Sequence, residues 1–349
     1  MRNYAKTVII CVFCLVLFLS CTLSKEQKLE RLFEPYSGKN PGAAVLIIKD
    51  NSPLLIKTHG MANTEKGQQV NVQTNFRLAS VTKQFTAACI LQLIEQDKLK
   101  LETTLSEIYN DYPDYGKNIT IKNILQHTSG MVAYEDLVPD TIEVQVTDAD
   151  VLKLMMEQDS TYFKPGSAYR YSNSGYAVLA MIVQKISGKT FAQYLDQNIF
   201  KPLGMDSTVA YQNGISTVPN RAMGYAVTDS GIVDSDQSAY SAVLGDGGIY
   251  SNLEDLMKWD SALYTEKLLS KKSLEAAFTP FKETYGFGWR IDDYKGHRRL
   301  HHTGSTSGFR NVIRRFPDDK FTVIILSNRK EPDVGPLADK LVDMYLLDE

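Results

Sequence analysis

Residues 8–19 form an unbroken apolar run behind Arg2 and Lys6. The run is too short to span a bilayer and suits the core of a signal peptide. In residues 25–33, Leu29, Leu32 and Phe33 recur at helical spacing and predict an amphipathic helix. Two short apolar runs, 44–48 and 54–56, flank Asp50-Asn51-Ser52-Pro53 and predict a strand, a turn and a returning strand. Ser80 opens a helical stretch in which Phe85, Ile90, Leu91, Leu93 and Ile94 share one buried face. Further helical segments continue to about Leu203. After Gly245 the pattern returns to strands, at 286–290, 309–316 and 321–326, before a final helix over 334–347. This order predicts an α/β (α+β) fold, with a sheet built from both ends of the chain around a helical insertion.

The bulk composition changes this picture little. The 349 residues are 43% hydrophobic and 23% charged, ordinary for a globular chain with a sizeable core. No Pro/Gly/Ser-rich linker, low-complexity tract or internal repeat marks a domain boundary. Without the leader's Arg2 and Lys6, the net charge moves from −3 to −5, which argues against a nucleic-acid partner.

The cysteines place the chain in a compartment. Cys11 and Cys14 fall inside the apolar run, Cys21 ends it, and only Cys89 remains in the body, so no internal disulfide is expected there. Leu17-Phe18-Leu19-Ser20-Cys21 resembles the lipidation box of bacterial lipoproteins, with Phe18 where those boxes carry Leu, Val or Ile. The expectation is an exported cell-envelope protein, with residues 1–20 removed as a signal peptide and Cys21 lipidated as a membrane anchor. Simple cleavage or an uncleaved anchor is the alternative.

Three short motifs carry candidate chemistry. In Ser80-Val81-Thr82-Lys83 a hydroxyl and an amine lie three residues apart at a helix start, on one face and within reach of each other. The helix N-terminus adds backbone N–H groups that favour an oxyanion. Ser327-Asn328-Arg329-Lys330 has the same spacing, but it leads into Pro332 and reads as a solvated loop. Tyr171-Ser172-Asn173 follows the turn Pro165-Gly166 and precedes a helix running from Tyr176, and supplies a proton-shuttling phenol. Of the other Tyr-x-Asn matches, Tyr250-Ser251-Asn252 reads as a helix start with a Ser251/Glu254 capping box, and Tyr211-Gln212-Asn213 as a polar turn. His301-His302-Thr303-Gly304-Ser305 reads as a strand edge with small residues, able to approach a substrate and offer the Ser305 N–H. Adjacent histidines on a strand point to opposite faces and do not chelate one metal.

Ser-x-x-Lys, Tyr-x-Asn and His-Thr-Gly in this order resemble the class C β-lactamase and D-alanyl-D-alanine carboxypeptidase family of serine hydrolases. Runs at 125–130, 247–251 and 286–289 sit where that family has similar segments, so the resemblance spans nearly all of residues 21–349. It implies a β-lactamase/transpeptidase-like catalytic domain. An antiparallel sheet flanked by helices would come from about 25–79 and 240–349, and an all-helical lobe from about 80–239. Ser80 would be the nucleophile, Lys83 and Tyr171 its proton-accepting pair, and the backbone N–H groups of Ser80 and Ser305 the oxyanion donors. Asn173, His302, Thr303 and Gly304 would contact the substrate or orient the site.

The resemblance implies no cofactor and no metal. His127 reads as a structural residue at a helix end. His302 stands where class C β-lactamases carry lysine, and a neutral imidazole lacks the fixed charge that meets a substrate carboxylate. Arg310 reads either as a substitute anchor or as a solvated strand residue. The expected substrate is a small molecule or peptide with an amide, peptide or β-lactam bond. The alternatives are an ester or D-amino-acid amide and, in a different class, a non-catalytic receptor for cell-wall peptides or β-lactams.

Overall fold

The computed structural model describes residues 23–139 and 141–348; the apolar leader and Cys21 lie outside them. Strand β1 (Ala43–Lys49) and strand β2 (Ser52–His59) pair antiparallel around the turn at Asp50 and Asn51, both with positive φ. Four strands from the far end complete the sheet: β3 (Arg290–Tyr294), β4 (His297–Thr306), β5 (Phe309–Phe316) and β6 (Phe321–Ser327). The spatial order is β3-β4-β5-β6-β1-β2 and every neighbouring pair is antiparallel. The chain closes this sheet from its two ends because β1 pairs with β6, Ala43 opposite Ser327.

Period-2 alternation explains how the sheet serves two cores. Along β1, Ala44, Leu46 and Ile48 face the main core, while Ala43, Val45 and Ile47 face a second one. The second core is covered by helix α1 (Lys25–Phe33), through Leu29 and Phe33, and by the C-terminal helix (Gly335–Tyr345), through Ala338, Leu341 and Val342. Ser24 and Gln27 form a reciprocal capping box that starts α1 where the sequence places it.

The middle of the chain builds the other side of the main core. Helix α2 (Lys83–Glu95) is buried on nearly all faces, from Lys83 to Leu91, and not on one stripe. Phe200 and Trp259 pack on Phe85 at 6.0 and 4.2 Å between ring centroids. Two of its buried polar side chains make internal bonds: Trp259 Nε1 donates to Gln84 Oε1 at 3.0 Å, and Thr86 Oγ1 to the Gly245 carbonyl at 2.7 Å. Helix α3 (Asp148–Met156) packs on helix α4 (Asn173–Ser187), which packs beside α2.

Several local expectations shift. The middle segment also carries short strands, Val209–Ala210 and the hairpin Tyr225–Thr228 with Gly231–Asp234, too short to register as periodic patterns. Tyr250 and Ser251 end a strand, and Asn252, not Ser251, caps the next helix by accepting the Asp255 N–H. Residues 286–289 form a turn rather than a strand, with Gly288 at φ +76° and close against the Lys83 backbone. Ser327 and Asn328 are buried, not solvated. Asn328 Nδ2 donates to the carbonyls of Met61, Ala62 and Met223, and its Oδ1 accepts from Gly42 N, locking three segments together.

Candidate active site

Ser80 sits in a 3-10 turn, Ala79–Thr82, that leads directly into α2. Ala79 holds a left-handed φ of +49°, a conformation that costs an alanine about 1 kcal/mol and persists where the surroundings impose it. Those surroundings are two glycine backbones. Gly304 of β4 packs so closely on the Leu78 carbonyl that a Cβ there would lie 2.1 Å from the oxygen, and Gly247 abuts Ala79 from the other side.

Lys83 is fully buried one turn on. Its Nζ reaches Ser80 Oγ at 3.1 Å, Asn173 Oδ1 at 2.8 Å and the Asp246 carbonyl at 2.9 Å. Two of these partners only accept, whereas the serine hydroxyl either accepts or donates.

Each partner is held from behind. Asn173 opens α4, where Ser172 caps by accepting the Gly175 N–H, and its Nδ2 donates to Glu135 Oε1 at 2.7 Å. Asp246 lies in the Leu244–Gly247 turn. The Asp148 carboxylate fixes that turn by accepting Leu244 N at 2.8 Å and Gly245 N at 2.9 Å. Burial raises the Asp148 carboxyl to about 7. It also raises Asp246 to about 6 against the opposing pull of Lys83, and Asp246 Oδ2 accepts from Tyr134 Oη at 3.1 Å.

Tyr171 lies against this lysine by its ring, with Lys83 Nζ 4.9 Å from the centroid. Its hydroxyl is buried and has no hydrogen-bond partner among the described residues. His127 packs on the same ring at 4.2 Å and accepts the Ser172 N–H on Nδ1 at 3.1 Å. His127 is therefore a fully buried support for the 171–173 segment. Burial and the nearby Lys83 charge hold its imidazole well below the ordinary histidine range.

The strand motif divides. Ser305 reaches the cleft beside Ser80, and Gly304 sets how closely the strand approaches. His302 does not line the cleft. Its ring is 2% exposed, Nδ1 donates to the Thr303 carbonyl at 2.7 Å, and Nε2 accepts from Tyr285 Oη at 3.0 Å. Burial, then Lys83, pushes its pKa well down, so it is a neutral, fully engaged imidazole. Thr303 is exposed and does not line the cleft, whereas Thr306 does. His301 faces the other way, toward Asp292 and Arg314. Arg310 donates to the Ser307 and Phe309 carbonyls and stays outside the cleft.

The cleft itself holds about 140 Å³ and is lined by Ser80, Asn173 and Ser305 together with Glu135, Tyr240 and Arg77. A larger concavity of about 550 Å³ by Leu203 and Met257 lies elsewhere and includes none of these groups. The sequence reasoning missed Glu135, Tyr134, Asp148 and Arg77, none of which sits in a recognisable motif. Asp246 was within reach of it, one residue before the flagged glycine pair Gly247-Gly248.

The arrangement of Ser80, Lys83 and Asn173 is accompanied by a family match over the chain: the Beta-lactamase profile covers residues 29–345. The chain belongs to the beta-lactamase family. This is a family of serine hydrolases, and the resemblance drawn from the three motifs is borne out, as is the α/β fold with its antiparallel sheet. Penicillin-binding protein 4* of Bacillus subtilis is 32% identical over 332 residues, covering 88% of this chain and 73% of that protein. The octameric penicillin-binding protein homologue from Pyrococcus abyssi superposes with a TM-score of 0.83 at 26% identity, covering 93% of this chain and 78% of that one. The D-amino acid amidase from Ochrobactrum anthropi, at 19% identity and a TM-score of 0.77 over 93% of this chain and 99% of its own, shares the fold.

Proposed function

We propose that this beta-lactamase-family chain is an exported serine hydrolase acting through an acyl-enzyme on Ser80, with amide or peptide bonds as its substrates. The observation that carries the reading is the single amine of Lys83 shared among Ser80 Oγ, Asn173 Oδ1 and the Asp246 carbonyl. In the neutral form of Lys83 the 3.1 Å contact runs the other way, and the serine donates. As Oγ bonds to the substrate carbonyl carbon, its proton passes into the Lys83/Tyr171 pair, while the Ser80 and Ser305 N–H groups hold the oxyanion. The leaving amine takes that proton as the scissile C–N bond breaks. Water then adds to the acyl ester, returns a proton to Ser80 and releases the acid. Tyr171, whose hydroxyl has no hydrogen-bond partner among the described residues, is free to relay a proton to the leaving group.

A neutral, engaged His302 favours amides over β-lactams as the working substrate, because no cation stands ready at that position for the β-lactam carboxylate. An ester substrate fits the same machinery and is the second reading. Lipidation of Cys21 would tether the enzyme at the cell envelope; its support is the sequence at 17–21.

The test is intact-mass spectrometry over time with benzylpenicillin, comparing wild type with Ser80→Ala, alongside a chromogenic short-chain ester. An adduct confined to wild type identifies the nucleophile, and its lifetime separates peptidase from β-lactamase. Absence of both adduct and Ser80-dependent turnover, for drug, ester and D-amino-acid peptides alike, would refute the reading.

A further inference from the structure

Two carboxylates line the cleft: Asp246, which accepts from Tyr134 Oη, and Glu135, which the proposed reaction does not use. Glu135 sits in the 3-10 turn Tyr134–Asp136, half-buried, with Oε1 accepting from Asn173 Nδ2 at 2.7 Å. No ion pair to Glu135 occurs among the described residues, and its second oxygen has no hydrogen-bond partner there. It is three hydrogen bonds from the nucleophile, along Ser80, Lys83 and Asn173.

Arg77 and Asp246 are the other charged groups lining the cleft. Arg77 is 2% exposed and gives Nη2 to the Ser241 carbonyl at 2.7 Å, while its Nε and Nη1 have no hydrogen-bond partner among the described residues. It also opposes the buried Asp246, whose carboxyl it helps to hold down. Glu135 therefore presents to the cleft a carboxylate oxygen with no hydrogen-bond partner among the described residues. A cationic group on the substrate can pair with it. The remaining lining suits a cation too. Tyr240 packs edge-on to Tyr134 at 5.6 Å between centroids, and aromatic faces attract ammonium groups.

We infer that Glu135 is a specificity-determining residue that binds a free ammonium group on the acyl side of the substrate, close to the scissile carbonyl. The substrate class is then an aminoacyl compound with an unblocked amine, in preference to its N-acylated counterpart. This rests on the acyl-enzyme reading of Ser80 and narrows it. Blocking the amine removes the positive charge and places a carbonyl oxygen against a carboxylate, so both attraction and hydrogen-bond polarity are lost. A hydrogen bond to a charged partner in such a site is worth roughly ten- to a hundredfold in kcat/KM.

The experiment compares kcat/KM for alanine p-nitroanilide and N-acetyl-alanine p-nitroanilide, each as D and L enantiomer, in wild type and Glu135→Gln, with p-nitrophenyl acetate as a third substrate. Glutamine keeps an oxygen for Asn173 Nδ2 and removes only the charge. The expected result is a wild-type preference for the free amine that falls ten- to a hundredfold in the variant. If both anilides lose rate in equal proportion, Glu135 merely orients Asn173 and the inference is overturned. A wild-type preference for the N-acetyl compound overturns it without any variant, which covers the case of a misfolded Glu135→Gln. If Ser80-dependent turnover is absent even with p-nitrophenyl acetate, the acyl-enzyme reading itself fails and carries the inference with it. Anilide inactivity with ester turnover intact overturns the inference alone.

Discussion

Gly304→Ala tests how the sheet sets the geometry of the nucleophile. A Cβ at this position lies 2.1 Å from the Leu78 carbonyl oxygen, 3.2 Å from its carbon and 3.3 Å from Ala79 Cβ. Gly304 has no positive φ, so backbone strain is not at issue and steric contact is the whole effect. Real Cβ–oxygen contacts begin near 3 Å, so β4 and the turn carrying Ser80 must separate by about 1 Å, a displacement that costs roughly a hundredfold in rate at a reacting centre. That loss corresponds to about 2.7 kcal/mol of barrier, on top of about 1–3 kcal/mol of overpacking in the fold. Gly42→Ala separates the two effects. Its Cβ would lie equally close, 2.1 Å from the His59 carbonyl oxygen, on a part of the sheet that does not line the cleft. Thermal melts and steady-state hydrolysis of a p-nitrophenyl ester are measured on both variants. Both should melt lower, and only Gly304→Ala should lose about two orders of magnitude in kcat. A Gly304→Ala enzyme within threefold of wild type would refute the argument that this contact sets the oxyanion geometry.

Other consequences are open to direct measurement. Tyr171→Phe removes a buried hydroxyl with no hydrogen-bond partner, so the melting temperature should stay the same or rise slightly, while kcat falls by roughly 10²–10⁴; a large fall in melting temperature would contradict the structure. Asp148 ionises at about 7 in the fold against an ordinary value of 3.8, so between these values the native state holds a proton that the unfolded chain has lost. Stability from this group is therefore greatest at low pH and falls by about 1.4 kcal/mol per unit as pH rises toward 7. Urea titrations of Asp148→Asn from pH 4.5 to 7.5 should show a shallower fall than wild type, with Asp246 retaining part of the slope; an unchanged slope would overturn the assignment. Cys21→Ser should move the protein from the membrane fraction to the soluble one and abolish labelling by a radiolabelled fatty acid, whereas unchanged labelling would refute lipidation.

Legibility from sequence followed the range of the interactions involved. The spacing of Ser80 and Lys83 is local, so a helix start brings them within reach whatever surrounds it, and the 3.1 Å contact follows from three residues of chain. Strands β1 and β6 were legible because near-continuous apolar runs bury both faces of a sheet, as do Ala44, Leu46 and Ile48 on one face of β1 and Val45 and Ile47 on the other. Helix α1 was legible from its amphipathic spacing, and Ser24 and Gln27 cap it as written. These features depend on residues a few positions apart, and the order of elements then set the antiparallel sheet closed from both ends.

What only the tertiary structure decided involves partners far apart in the chain. Asn173 and the Asp246 carbonyl meet Lys83 across 90 and 163 positions. Glu135 enters the cleft only because Tyr134–Asp136 folds beside the start of α4, and no periodicity marks it. His302 read as a substrate contact because a strand motif shows which residues alternate but not which face is covered. Tyr285, from a distant turn, occupies its Nε2 and withdraws it from the cleft. Residue type and local spacing thus determined the nucleophile and its amine, since chain connectivity alone holds them together. The charge facing the substrate was decided by long-range packing, because burial and hydrogen-bond partners, not residue identity, fix which groups remain free to bind.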